Sequence, residues 1–137
     1  MFKSVNWGGV VVAVIVAELI GFLWYGLLFD AQYMALTGIT EEQAAGQEWR
    51  MGLGVANLIV VMLGLGALLP RLNADSYAEG GKWGLFVAVF FACTVTSLGY
   101  IYELAPPMLT ALGFGYQILT LTVGGTIIGG LRLGRKS

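Results

Sequence analysis

Apolar residues run through the chain in four long stretches separated by short polar connections. They cover residues 5–29, interrupted only by Glu18, then 51–69 up to Pro70, then 83–102, and last 108–131. A helix needs ~20 mostly apolar residues to cross a hydrocarbon layer of ~30 Å, and each stretch is near that length. The runs are continuous, whereas barrel strands alternate apolar and polar positions over about ten residues. The pattern therefore predicts an all-α fold: a polytopic membrane protein, one four-transmembrane-helix bundle over 1–137. The first stretch is too long for a signal-peptide core. It continues into Trp24 and Tyr25 without a small-residue cleavage site, and is read as a retained helix.

The connections refine this picture. Glu103-Leu104-Ala105-Pro106-Pro107 is a tight link, and proline disfavours helix at the residue before it. Helices three and four are thus expected to form an antiparallel hairpin. In the first loop Thr40 and Gln43 have capping-box spacing, which predicts a short helix over 41–49. It is either a surface helix with Trp49 at headgroup level or a solvated turn. Trp7, Trp24, Tyr25, Trp49, Trp83, Tyr100 and Tyr102 fall near span ends, as an interfacial belt requires.

Most of the 21 glycines lie inside the apolar runs. Helices in lipid associate through close backbone packing, so small residues mark their contact faces. Candidate faces are Ala13, Ala17 and Gly21 in helix one, and Gly84, Ala88, Ala92 and Thr96 in helix three. In helix four Gly125 and Gly129 form a GxxxG pair, with Thr122, Thr126 and Gly130 one step round. These stripes serve packing within the chain or association with a second copy.

Composition narrows the function. The chain is 58% hydrophobic and 11% charged, too little charge to cover a water-facing surface. A net charge of -1 offers no basic field for nucleic acid. There is no histidine, and Cys93 is the single cysteine. The commonest general base, the commonest metal ligand and any intrachain disulfide are absent. No catalytic residue, metal site or cofactor is expected, and the protein reads as a non-enzyme whose first partner is the bilayer. Charge also orients the chain. Lys3, Arg71, Lys82, Arg132, Arg135 and Lys136 fall on one side, and Arg50 alone falls on the other. That bias predicts cytoplasmic termini, with Asp30, Glu41, Glu42 and Glu48 of the first loop facing outward.

Three strongly polar residues lie within the spans. Glu18 is the one ionisable side chain near a span centre, where a carboxylate costs ~2.5 kcal/mol or more. Asn57 and Gln117 are the others. The functional reading is a proton or ion site built on Glu18, Asn57 and Gln117. The bland reading is a protonated carboxyl held by Asn57, Gln117 or a threonine hydroxyl as interhelical glue.

Asn6-Trp7, Leu23-Trp24-Tyr25-Gly26-Leu27-Leu28-Phe29 and Tyr33-Met34-Ala35-Leu36-Thr37-Gly38 resemble the bacterial membrane family known as domain of unknown function 1761. Gly113-Phe114-Gly115-Tyr116 and the glycine-rich run after it resemble that family's last helix. The resemblance covers nearly the whole chain, with Trp24, Tyr25, Gly38 and Tyr116 as motif residues. It implies four helices in a bacterial inner membrane and brings no activity. A local stretch, Ala17-Glu18-Leu19-Ile20-Gly21, is similar to helix one of small multidrug resistance transporters, where a membrane-embedded Glu exchanges protons for cationic drugs. Two functions follow. The first is a structural or accessory subunit of a membrane assembly, partnered by itself or other membrane proteins. The alternative is a small proton-coupled transporter or ion pathway using Glu18.

Overall fold

The computed structural model describes residues 2–132. Arg135 and Lys136, counted above for orientation, and the side chain of Glu41 lie outside what is described. Helix α1 spans Trp7–Leu28, α-helical to Gly21 and π-helical from Phe22. The first connection holds α2, Asp30–Thr37, and α3, Glu41–Ala44. Then come α4, Trp49–Arg71, α5, Tyr77–Tyr102, and α6, Pro107–Gly130. The fold is all-α, and α1, α4, α5 and α6 are each long and apolar enough to cross a membrane.

Local chemistry sets the ends of these elements. Asn6 caps α1, its Oδ1 accepting from the Gly9 N–H at 3.2 Å. The capping box of α3 is reciprocal: Gln43 N–H donates to Thr40 Oγ1 at 3.1 Å, and Thr40 N–H to Gln43 Oε1 at 3.0 Å. That helix is shorter than the expected 41–49. Gly46 turns into the left-handed region at φ 78°, and Trp49 opens α4 instead of closing the loop helix. The first connection also gains α2, whose start no side-chain cap marks; it ends on Gly38 at φ 68°.

Helix α4 runs through Pro70 to Arg71 and not only to residue 69. A proline in the last turn removes just one intrahelical bond, and the helix closes beyond it. Asn73 is left-handed at φ 55°, its N–H donates to Pro70 O, and Ala74 N–H donates to Leu69 O at 3.0 Å. This is a Schellman closure with asparagine in place of glycine. Helix α5 starts at Tyr77, six residues before the expected 83. Ser76 Oγ accepts from Glu79 N–H at 3.1 Å, so the start is capped in the Ser-x-x-Glu manner. Glu79, Gly80, Gly81 and Lys82 depress hydropathy there and hide a turn and a half of helix.

The bundle is inverted relative to a water-soluble one. On α1 the buried residues are Gly9, Val10, Ala13 and Ala17, while Val11, Ile15, Leu19 and Phe22 point outward. Small residues inside let backbones approach, and large apolar ones face lipid. Helix α6 is the hub and packs on α5, α1 and α4, whereas α4 and α5 touch little. The α5–α6 contact is backbone on backbone. A Cβ at Gly80 would strike the carbonyl of Gly125, and one at Gly84 the carbonyl of Leu121. A Cβ at Gly129 would come within 2.8 Å of Gly80 Cα. Further along α5, Ala88 is wholly buried and Ala92 half-buried. On α1, Ala13 and Ala17 sit in the core with Met62 of α4, whose thioether lies over Gly124.

Two side chains tie α1 to α6 at opposite ends. Asn6 Nδ2 donates to Ile128 O at 2.9 Å and to Leu131 O. Trp24 Nε1 donates to Leu112 O at 3.1 Å, with its ring over Gly115. Replacing Trp24 by Phe removes this bond together with the pyrrole half of the indole. The expected loss is at least about 1 kcal/mol in detergent unfolding experiments, and an unchanged midpoint would show that neither contributes.

Candidate functional site

The bundle opens into two clefts, the second of them where α4 and α5 diverge over α6. The first, about 610 Å³, lies between α1, α2 and α4. The second, about 560 Å³, lies between α4 and α5 with α6 as its floor. They share Asn57, Leu58 and Tyr116, which form the seam between them.

Glu18 lines the first cleft, half-buried, midway along α1. Gly21, one turn on, leaves room for the Tyr116 hydroxyl, which lies 3.2 Å from where a Cβ on Gly21 would be. Tyr25 stands between two other tyrosines: its ring centroid is 4.9 Å from that of Tyr33 and 5.2 Å from that of Tyr116. Asp30, in the first turn of α2, lines the same cleft, so it carries two carboxylates and three phenols. The π-helical segment Phe22–Leu28 matters here. Its wider turn bonds Phe29 N–H back to Trp24 O, five residues away. Such turns re-aim side chains and recur at functional sites. In this one Trp24 turns to α6 while Tyr25 lines the cleft.

The three polar residues singled out in the sequence are not one cluster. Glu18 lines the first cleft, Gln117 the second, and Asn57, exposed on α4, lines both. Among the described residues Gln117 bonds to Thr96, its Nε2 donating to Oγ1 at 2.6 Å, and no hydrogen bond joins Glu18 to Asn57 or Gln117. Among the motif residues, Trp24, Tyr25 and Tyr116 all bear on α6 or the first cleft, while Gly38 is a helix stop. Tyr33 and Asp30 were not singled out as site residues. Both stand on α2, a helix with no side-chain cap to mark its start. No group of three or more His, Cys, Asp or Glu among the described residues is placed to hold a metal ion. Cys93 is buried against α6, its Sγ 3.9 Å from Phe114 O.

A family model described as a protein of unknown function, DUF1761, matches residues 9–129. Neither a curated protein nor a solved structure matches the chain. The likeness of residues 17–21 to small multidrug resistance transporters therefore rests on those five residues alone.

Proposed function

The chain belongs to the DUF1761 family of proteins of unknown function, and from that premise we propose that it exchanges protons for cations at Glu18, as a small non-enzymatic protein of the bacterial cytoplasmic membrane with both termini in the cytoplasm. The observation that carries this reading is the position of Glu18: mid-span, on an open cleft of about 610 Å³, among tyrosine rings. A carboxyl at that depth is costly, and ionisable residues kept inside spans characteristically line ion and proton pathways. The faces of Tyr25, Tyr33 and Tyr116 attract cations, and Asp30 adds negative charge to the lining. Asn57 at the seam supplies a neutral polar group for a partly dehydrated ion. The orientation rests on the basic residues flanking the spans, which leaves the acidic first loop outside, where it draws cations towards the cleft.

The test uses purified protein in liposomes, with tetraphenylphosphonium added and released protons followed by a pH dye. Release is expected from the parent and none from Glu18→Gln, which keeps the shape and hydrogen bonding of the acid but holds no exchangeable charge. Unfolding of the variant is expected to match the parent. Release that persists in the variant overturns the reading.

A second reading is favoured by one surface. Phe86, Phe90 and Phe91 of α5 are exposed side by side, with Phe86 and Phe90 rings 4.6 Å apart, a face suited to another membrane helix. On that reading the protein is an accessory subunit, partnered by itself or another membrane protein, with no nucleic acid involved. No proton release across a broad panel of cations, with folding unchanged, would favour it and leave Glu18 as a packing residue.

A further inference from the structure

The cleft between α4 and α5 holds polar chemistry that the Glu18 reading does not use. Gln117 and Thr120 lie one turn apart on α6 and both line its floor. The Gln117 Nε2 is committed to Thr96, but its Oε1 is buried and meets no hydrogen-bond partner among the described residues. The Thr120 hydroxyl is buried too, with the Tyr116 phenol as its neighbour. Gln117 stands ten residues (117 − 107) into the 24-residue α6. At 1.5 Å per residue that is about 15 Å, near the bilayer centre and beyond the reach of phospholipid headgroups. A buried polar atom without a partner is expensive at that depth. Apart from Asn57 on α4 and Thr96 on α5 the walls, including Leu65, Val87 and Phe91, are apolar, and no Asp, Glu, Lys or Arg lines the cleft. A π-helical segment, Ala88–Ala92, places Phe91 and Ala92 along one wall. The volume of about 560 Å³ falls within the ordinary range for small-molecule sites.

We propose that this cleft binds a neutral, lipid-dissolved alcohol or phenol, which draws the Gln117 amide round to meet its hydroxyl and lays its apolar body between α4 and α5. A hydroxyl both donates and accepts, so it satisfies the amide whichever way round oxygen and nitrogen lie. A charged ligand would find no countercharge, and a plain hydrocarbon would leave the amide unsatisfied. Glu18 does not line this cleft, although the two clefts share Asn57, Leu58 and Tyr116, so the binding is tested separately from cation exchange.

The experiment uses the full chain in lipid nanodiscs, photolabelled with diazirine-bearing dodecanol or with the matching diazirine-bearing dodecane, and mapped by peptide mass spectrometry. The alcohol is expected to label α4 and α5 residues of the cleft about tenfold more than the alkane at equal concentration, with unlabelled 1-dodecanol competing. Gln117→Leu should bring alcohol labelling down to the alkane level. Gly64→Leu should abolish it without lowering stability, because Gly64 lines the cleft and a Cβ there meets nothing within 4 Å. Glu18→Gln should label like the parent. Equal labelling by alcohol and alkane, labelling indifferent to Gln117→Leu, or labelling that survives Gly64→Leu would each overturn the proposal.

Discussion

Gly125→Leu is expected to separate α5 from α6 and unfold the bundle in mild detergent. The reason is what the glycine faces. A Cβ at residue 125 would strike the carbonyl of Gly80 and come within 3.1 Å of Gly84 Cα, and backbone has no rotamer into which it can retreat. Overpacking of side chains costs about 1–3 kcal/mol, and backbone collision belongs at or above the top of that range. Even Gly125→Ala should destabilise measurably, since the collision begins with the first carbon. Gly80→Ala is the reciprocal variant and should behave alike, because its Cβ would strike the carbonyl of Gly125. Gly64→Ala is the control: the added methyl meets open space, and helix propensity favours alanine by about 1 kcal/mol. Unfolding midpoints in a denaturing detergent series read all four. If Gly125→Ala and Gly80→Ala unfold with the parent, the helices do not approach through these glycines.

That contact also shows how far the sequence was readable. Gly125 and Gly129 are visible as a GxxxG pair, and the long apolar runs are visible because transfer to lipid demands them. Their partner Gly80 lay outside the apolar window, in a segment where Glu79 and Lys82 lower hydropathy. The Ser76-to-Glu79 spacing held the missing signal, since it marks a helix start ahead of Trp83. The candidate site divides in the same way. Glu18 stands out as the one charge at mid-span. The tyrosines around it come from α1, α2 and α6, and no local pattern links residues 25, 33 and 116. Their meeting depends on a π-helical turn, which has no sequence signature comparable to a cap. Gln117 and Asn57 are legible as polar residues at depth, but the cleft each lines depends on helix rotation, and that is set by the packing on α6.

Asn6→Asp is expected to weaken the bundle severely, although aspartate is a good helix cap. Asn6 performs two tasks with two ends of one amide. Its oxygen accepts from Gly9 N–H and starts α1, and its nitrogen donates to the carbonyls of Ile128 and Leu131 where α6 ends. The side chain is 8% exposed, so water replaces little of what is lost. Aspartate keeps the first task and turns the second into repulsion between a carboxylate and two carbonyl oxygens. Arg132 donates to the same two carbonyls and would retain them in part, its Nη1 lying 3.0 Å from Ile128 O and 3.1 Å from Leu131 O. Asn6→Ala removes both tasks without adding charge. Its cost sums a cap of about 1 kcal/mol and two bonds, one buried and one part-buried, of about 1 kcal/mol each at most, up to about 3 kcal/mol in total. If the clamp dominates, Asn6→Asp falls at or below Asn6→Ala in stability. If the cap dominates, Asn6→Asp stays close to the parent and the link between α1 and α6 is incidental. Hydrogen exchange at the two helix ends separates the cases, because loss of the clamp frees the last turn of α6 while the first turn of α1 stays protected in Asn6→Asp.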